Sequence, residues 1–372
     1  MSKHWAASAV AVIIALCPAP APGAASPDFG TMSVDVPTIE AAATGVTRIA
    51  AFREHDGTVD WSPSGQRIAY GARNADGYYE VHLADPDGGN DVNLTANTPG
   101  LPHKHVASPA WHPSEKYLLL CVEKPEHRGS SFEARPGFAG HTDVWLITAD
   151  GRHAYPLTNV PNNQNFGIMI PRFSPDGKRV LWTERIERPS VLHHTFGRTV
   201  IRVADFIDTP GAPHLDNIRT FEPGGESFYE AYGFSPDGSR IIFCSNMRGR
   251  STFDQDIYTI DAQTGGDVRR LTDGTYNEHA FYSRSGKFIV WMTNRGNRNG
   301  ATDWWMMQAD GSDKHRLTSF NDPASAEYAG GAVWACLGSF GPDDARFVAD
   351  VQTSLLTQSG VIKMVYLAKP AR

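Results

Sequence analysis

Two glutamates in the second half of the chain stand in matching surroundings. Glu230 lies four residues before Phe234, and Glu278 lies four residues before Tyr282. His279 follows the second glutamate directly. Two carboxylates and an imidazole brought together provide ligands for a divalent cation, or a base and an acid for proton transfer in sugar chemistry. If the protein is an enzyme, these three are its predicted catalytic residues.

Other polar residues occupy the corresponding segments elsewhere in the chain. His103 and His105, before Trp111, are the predicted ligands of a divalent cation such as Ca²⁺ or Mn²⁺. The residues predicted to contact a ligand from these segments are Tyr229, Gln164, Asn165 and Glu327. The alternative, which the sequence leaves open, is that these polar groups hold only water and one another.

Missing motifs and the charge balance exclude several functions. The chain contains no Gly-x-Ser-x-Gly nucleophile elbow, no glycine-rich phosphate loop, no HExxH and no CxxC. Its net charge of −7 gives no sign of nucleic-acid binding. We therefore expect neither a serine peptidase, nor a nucleotide-dependent enzyme, nor a zinc ribbon, nor a nucleic-acid-binding protein.

A motif that occurs six times explains why these segments correspond. It consists of an aromatic residue, then Ser-Pro-Asp-Gly or a variant, then in most copies a basic residue, and then an apolar run. The copies begin at Trp61, Trp111, Phe173, Phe234, Tyr282 and Phe340. Because Pro and Asp-Gly favour a tight turn and the apolar run is rich in β-formers, each copy predicts a β-hairpin.

A second hairpin completes several copies. Its first strand opens with an aspartate, as at Asp143, Asp256 and Asp303, and a Leu-Thr pair closes it. Four strands in each of six copies predict an all-β fold, a six-bladed β-propeller of four-stranded antiparallel blades. We expect the strand from Val46 to Phe52 to pair with the last strand, Ile362–Leu367, and so close the ring.

The repeat resembles that of the TolB family in its FSPDG turns, its Asp-(Ile/Val/Trp)-(Tyr/Trp) strands and its Leu-Thr closures. The resemblance covers roughly residues 46 to 368 and implies a TolB-type (PD40, WD40-like) propeller. TolB proteins carry an α/β domain ahead of the propeller. Only Ser26 to Gly45 precede it here, so the resemblance implies a propeller without that domain. TolB's role in holding together a complex at the outer membrane is therefore not implied as a whole.

The chain is also similar to the oligogalacturonate lyases, which are propellers with a histidine-rich, metal-containing centre. This second resemblance implies an enzyme that acts on acidic polysaccharide. An arginine such as Arg250 or Arg298 would neutralise the uronate carboxylate, and His279 would act as the base. The ion would lie near His105 and Glu230.

The loops between hairpins are long and irregular, whereas the Ser-Pro-Asp-Gly turns are short. We therefore expect the loop-rich face of the ring to bind the ligand. Arg128, Arg250 and Arg298 lie in these loops and predict affinity for an anionic ligand. Two functions stay open: a binding or scaffold protein for an envelope protein or an anionic polymer such as a polysaccharide, and a polysaccharide lyase.

The N-terminus is typical of a secretory signal, with an apolar stretch from Ala6 to Leu16. We expect a signal peptide over residues 1–25, a linker over 26–45 and the propeller over 46–372, in a periplasmic or secreted bacterial protein. No later stretch is apolar enough for a membrane helix. Cys121, Cys244 and Cys336 would remain, and this odd number predicts buried thiols rather than disulfides.

Overall fold

The computed structural model describes residues 45–53, 57–138, 140–190, 196–249, 251, 253–354 and 359–368. These residues form six sheets of four antiparallel strands, which confirms the predicted six-bladed propeller. The described ranges contain no α-helix, and a short 3₁₀ helix spans Ser131–Ala134. Within them, no helix is long and apolar enough to cross a bilayer. The expected signal peptide and the linker up to residue 44 lie outside the described residues.

The strands follow the repeats in chain order, with β1 (Val46–Arg53) ahead of the first. Blade one contains β2 (Val59–Trp61), β3 (Ile68–Arg73), β4 (Tyr79–Ala84) and β5 (Val92–Asn93). Blade two contains β6 (Val106–Trp111), β7 (Tyr117–Glu123), β8 (Thr142–Thr148) and β9 (Ala154–Pro156). Blade three contains β10 (Gly167–Phe173), β11 (Arg179–Glu187), β12 (Arg198–Ile207) and β13 (His214–Phe221).

The second half of the ring continues in the same way. Blade four contains β14 (Tyr229–Phe234), β15 (Arg240–Ser245), β16 (Asp256–Asp261) and β17 (Arg269–Arg270). Blade five contains β18 (Asn277–Tyr282), β19 (Phe288–Thr293), β20 (Asp303–Gln308) and β21 (His315–Arg316). Blade six contains β22 (Trp334–Phe340), β23 (Arg346–Ser354) and β24 (Ser359–Leu367), with β1 as its outermost strand.

The pairing of β1 with β24 closes the ring. The two strands are antiparallel, with Val46 opposite Leu367 and Ala50 opposite Met364. The backbone N–H of Ala368 also donates to the carbonyl of Gly45 at 2.7 Å. The expected closure by an N-terminal strand is thus confirmed, and both ends of the described chain belong to one sheet.

A carboxylate reinforces the closure at the inner strands. Asp60 of β2 accepts hydrogen bonds from Ser339 Oγ in blade six and from the backbone N–H of Trp111 in blade two, each at 2.8 Å. Arg284 Nη2 adds a bond of 2.7 Å to the carbonyl of Trp61. One aspartate therefore connects three consecutive blades.

The repeated turn is held by its serine. Ser174 and Ser235 each accept, at 2.9 Å, the backbone N–H of the residue five positions later. Glycine usually occupies the left-handed position of this turn, but Glu115 (φ 58°) and Asp344 (φ 55°) replace it in blades two and six. Asp344 accepts the N–H of Ser285 in blade five at 3.0 Å, so the left-handed residue also links neighbouring blades.

The Asp and Leu-Thr motifs form a latch between the third and fourth strands. In blade five, Thr318 Oγ1 accepts the N–H of Trp304 at 3.1 Å and donates to buried Asp303 at 3.0 Å. Arg316 pairs with the same carboxylate at 2.6 Å. Blade four repeats the arrangement with Asp256, Thr272 and Arg270. The latch explains why the two motifs occur together in the sequence.

Replacement of Asp60 by alanine tests the inner closure. The variant loses two hydrogen bonds and leaves the Trp111 N–H without its acceptor, so we expect its free energy of unfolding to fall by about 3 kcal/mol. Urea unfolding followed by tryptophan fluorescence measures the change. Asp87→Ala, on an exposed turn of the same blade, serves as the control. An equal effect of the two substitutions would rule out a special role for Asp60.

Candidate functional site

Bulges in the inner strands shape the centre of the ring. The strands β6, β10, β14, β18 and β22 each contain a register shift against their partner. In β18 the shift lies between Glu278 and Phe281, and His279 there has a φ of 50°. Regular alternation would place Glu278 and His279 on opposite faces of the strand. The extra residue of the bulge brings their side chains to the same side.

The structure brings Glu230, Glu278 and His279 together. One ligand atom of each lies within 4.8 Å of the others, and within the described ranges this is the one group of three or more such residues that could hold a metal ion. The glutamates are 5% and 6% exposed, respectively. His279 Nε2 lies 4.0 Å from Glu230 Oε2, and its side chain is 22% exposed. The cluster therefore has two buried carboxylates and a more open imidazole.

Hydroxyl and thiol groups surround the two carboxylates. Tyr232 donates its hydroxyl hydrogen bond to Glu230 Oε2 at 2.9 Å. Tyr276 donates in the same way to Glu278 Oε2 at 2.5 Å. The Cys244 thiol lies 4.0 Å from Glu278 Oε1 and donates to Gln255 Oε1 at 3.0 Å. These contacts fix the orientation of both glutamates without neutralising their charge.

No lysine or arginine among the described residues forms an ion pair with either glutamate. Burial raises the pKa of Glu230 to about 7. Burial and the nearby Glu230 carboxylate raise the pKa of Glu278 well above its usual value. Two such buried carboxylates are stable only if at least one of them is protonated or a cation compensates their charge.

The imidazole of His279 is held in its neutral form. Burial lowers the pKa of His279 to about 4. Its Nδ1 atom is buried and has no hydrogen-bond partner among the described residues. A neutral imidazole can act as a metal ligand or as a base.

His103 and His105 do not join this cluster. Both histidines lie ahead of β6. The residue of β6 that corresponds to Glu278 of β18 is Ala107, which lies just before the bulge of its strand as Glu278 does. His105 Nδ1 accepts the backbone N–H of Tyr79 at 3.1 Å, and burial lowers the pKa of this histidine to about 4. His103 is exposed and lines a separate cavity near blade one. Both histidines therefore lie apart from the predicted channel site.

Tyr229 faces away from its neighbour Glu230. It is fully buried, its hydroxyl donates to the carbonyl of Gly225 at 2.7 Å, and it accepts the N–H of Gly224 at 2.9 Å. Because successive residues of a strand point to opposite sides, Tyr229 supports this loop while Glu230 lies in the cluster.

The other predicted contact residues lie outside the cluster. Gln164 and Asn165 are exposed, and Gln164 Oε1 accepts a bond from Arg188 at 2.7 Å. Glu327 accepts the backbone N–H of Ser319 at 2.5 Å. Arg128 and Arg298 are exposed. Arg250 lies outside the described residues.

A row of aromatic rings leads to the cluster, and sequence reasoning missed it. Phe228 contacts Phe196 with ring centroids 5.3 Å apart, Phe196 contacts Phe253 at 5.4 Å, and Phe253 contacts Tyr276 at 5.9 Å. These residues come from the segments before β14, β12, β16 and β18, on the loop-rich face. The available signal was an aromatic residue two positions before each glutamate, Phe228 before Glu230 and Tyr276 before Glu278.

Sequence comparison identifies a relative but no function. No model of a known protein family matches the chain. The uncharacterized protein Atu1656 of Agrobacterium fabrum is 27% identical over 213 residues. The match covers 57% of this chain and 57% of that protein, so it spans little more than half of the relative's length.

Solved structures show the class of fold. TolB from Acinetobacter baumannii matches with a TM-score of 0.51 and 21% identity, over 82% of this chain and 64% of that one. A TolB candidate from Agrobacterium tumefaciens matches with a TM-score of 0.53 and 15% identity, over 84% of this chain and 91% of that one. An oligogalacturonate lyase in complex with manganese matches with a TM-score of 0.50 and 14% identity, over 88% of this chain and 94% of that one. The chain is therefore a TolB-like six-bladed propeller by fold.

The buried His105 predicts a pH dependence of stability. Its pKa of about 4 in the folded protein lies below the ordinary 6.5, so the unfolded chain binds more protons between these values. The contribution of His105 to the free energy of unfolding is constant above pH 6.5. It is lost as the pH falls towards 4, and the total loss is about 3 kcal/mol.

His105→Asn keeps an acceptor for the Tyr79 N–H, and we expect it to flatten the fall in unfolding free energy between pH 6.5 and 4. Urea unfolding at a series of pH values measures this. His103→Asn is the matched control, since His103 is exposed. If the unfolding free energy of His105→Asn fell with pH as steeply as that of the wild type, His105 would not be the source of the pH dependence.

Proposed function

We propose that the protein is an exported binding propeller that holds a divalent cation, Ca²⁺ or Mn²⁺, at Glu230, Glu278 and His279. Its ligand is an anionic polymer of the cell envelope, which binds the loop-rich face and completes the coordination of the cation. The observation that carries the proposal is the pair of buried carboxylates with no cationic partner among the described residues.

Electrostatics favours a cation over a direct contact between this site and an anion. Two buried carboxylates repel a negatively charged ligand, while a divalent cation between them compensates both charges. The side-chain oxygens of two glutamates and the nitrogen of a neutral histidine are suitable donors for Mn²⁺, and the oxygens are also suitable for Ca²⁺. A cation at this place would leave coordination positions open for carboxylate or hydroxyl groups of the ligand.

The surroundings of the cluster support a polymer ligand. Phe196, Phe253 and Tyr276 offer partly exposed ring surface beside the cluster, and the buried ring of Phe228 supports Phe196 from below. Arg128 and Arg298 are exposed, and their charges suit an anionic chain. The TolB-like fold, in a sequence without a nucleophile motif, supports a binding role. The expected signal peptide supports a location in the cell envelope.

Cation binding is tested by thermal unfolding and calorimetric titration with Ca²⁺, Mn²⁺ and Mg²⁺ after treatment with a chelator. We expect the midpoint of unfolding to rise with the cation, because binding at 100 times Kd stabilises the folded state by about 2.7 kcal/mol. In Glu278→Gln the affinity should fall at least about tenfold, since a charged ligand atom is lost.

Glu184→Gln is the matched control for this experiment. Glu184 is also a buried glutamate, but Arg202 pairs with it at 3.0 Å. We expect its variant to bind the cation like the wild type. Cation binding that is equal in Glu278→Gln and the wild type would disprove the cation site. If the protein captured an envelope protein rather than a polymer, the proposal of a polymer ligand would be wrong.

A carbohydrate-active lyase is the second candidate function. The partly exposed imidazole of His279 lies 4.0 Å from Glu230, whose ionised carboxylate would stabilise the imidazolium formed when His279 acts as a base, and the fold is similar to a manganese-bound oligogalacturonate lyase. In such a reaction His279 would remove the proton next to the uronate carboxylate, and a cation or Arg298 would neutralise that carboxylate. The C–O bond to the leaving sugar would break as the double bond forms, and water would supply a proton to the leaving oxygen.

Incubation with a panel of polyuronates distinguishes the two functions. A lyase produces unsaturated sugar ends, whose ultraviolet absorbance should rise with added Mn²⁺, disappear with chelator and be lost in His279→Ala but not in His103→Asn. Constant absorbance with every substrate, together with retained cation binding, would exclude the lyase and support the binding propeller.

A further inference from the structure

The latch aspartates of three blades each have a cationic partner. Asp256 pairs with Arg270 and Asp303 pairs with Arg316, both at 2.6 Å. Asp143 of blade two pairs with Lys124, which lies in the loop after β7. In each case a positive charge compensates an acid at the start of the third strand of the blade.

Blade one departs from this pattern. The N–H of Val81 bonds to Thr95 Oγ1 at 2.9 Å, as the N–H of Ile257 does to Thr272, so the latch positions correspond. Glu80 therefore takes the place of the aspartate. Asn93 takes the place of the arginine, and its Nδ2 donates to Glu80 Oε2 at 2.7 Å. Glu80 has no ion pair with any described residue.

A cavity of about 390 Å³ opens beside this uncompensated acid. Its lining residues include Asn74, Asp76, Tyr78 and Glu80, and the segment from Thr95 to Lys104 completes the wall. Lys104 does not neutralise the cavity, because its Nζ is bonded to Glu123 Oε1 at 3.2 Å and to the carbonyl of His127 at 2.8 Å. The two acids, Asp76 and Glu80, leave the cavity with a negative charge.

We propose that this cavity binds a small molecule that carries a protonated amine. The ammonium group takes the role that Arg270 and Arg316 have in their own blades and pairs with Glu80. Tyr78, which is partly exposed in the wall, offers its ring to the same cation, and Asp76 adds a second carboxylate at the surface. The volume of the cavity is in the range of small-ligand sites.

The body of the ligand is expected to be hydroxylated rather than apolar. The wall contains amide and hydroxyl side chains, Asn74, Asn97 and Thr95, and backbone groups of the segment that enters blade two. These groups form hydrogen bonds with hydroxyls, and they offer little apolar surface to a hydrocarbon chain. An amino sugar combines both requirements, an ammonium group and a ring of hydroxyls.

Calorimetric titration with glucosamine, ethanolamine and putrescine tests the proposal, with N-acetylglucosamine as the uncharged counterpart of the first. We expect glucosamine to bind at least about tenfold more tightly than N-acetylglucosamine, because acetylation removes the charge that pairs with Glu80. Absence of binding by all three amines would overturn the proposal, and so would equal binding of the acetylated sugar.

Two variants locate the binding to this cavity. Asn93→Arg introduces the arginine that blades four and five have at this position. Its guanidinium should pair with Glu80, and the variant should therefore unfold at a higher temperature and no longer bind the amine. Glu80→Gln should weaken amine binding at least about tenfold. Glu126→Gln, at an exposed acid outside the cavity wall, is the control and should bind like the wild type. Unchanged binding in Asn93→Arg would place the amine elsewhere.

Discussion

A ring of blades is stable only if its first and last blades are joined, and two sets of contacts described above contribute to this closure. The hydrogen bonds between β1 and β24 close the outer edge of the ring, and Asp60 connects blades six, one and two near its axis. Every inner strand depends on this closure for its distance from the axis. The site at the centre exists because strands of neighbouring blades are held at a fixed separation.

Closure alone would not place the cluster, because regular strands alternate their side chains. The bulge in β18 turns His279 to the side of Glu278, and Glu230 reaches the same place from β14 in the neighbouring blade four. The hydroxyls of Tyr232 and Tyr276 then fix the two carboxylates. The site thus combines equivalent positions of two repeats with a local irregularity of one of them.

The repeat in the sequence predicted the fold, the blade number and the closing strand, because each depends on turn residues and apolar runs that recur. It also predicted that Glu230 and Glu278 occupy equivalent positions. It did not separate Tyr229, which lies in the core, from Glu230, and it grouped His105 with residues nearer the axis. Strand alternation alone would have separated Tyr229 from Glu230, whereas the bulges that set the register of the inner strands are not encoded in hydrophobic patterns. The contact of Tyr276 with Glu278 also depends on side-chain direction.

The position of β1 has a consequence for biosynthesis. Thr47 and its partner Tyr366 are 319 positions apart, so β1 can pair with β24 only after all the blades between them have been synthesised. Until then Val46, Ile49 and Phe52, buried in the closed ring, have no sheet to cover them. Pairing of such distant segments is slow and exposes strand edges to other chains. The closing pair of strands is therefore the part of this ring that forms last, and the apolar side of β1 is exposed until it does.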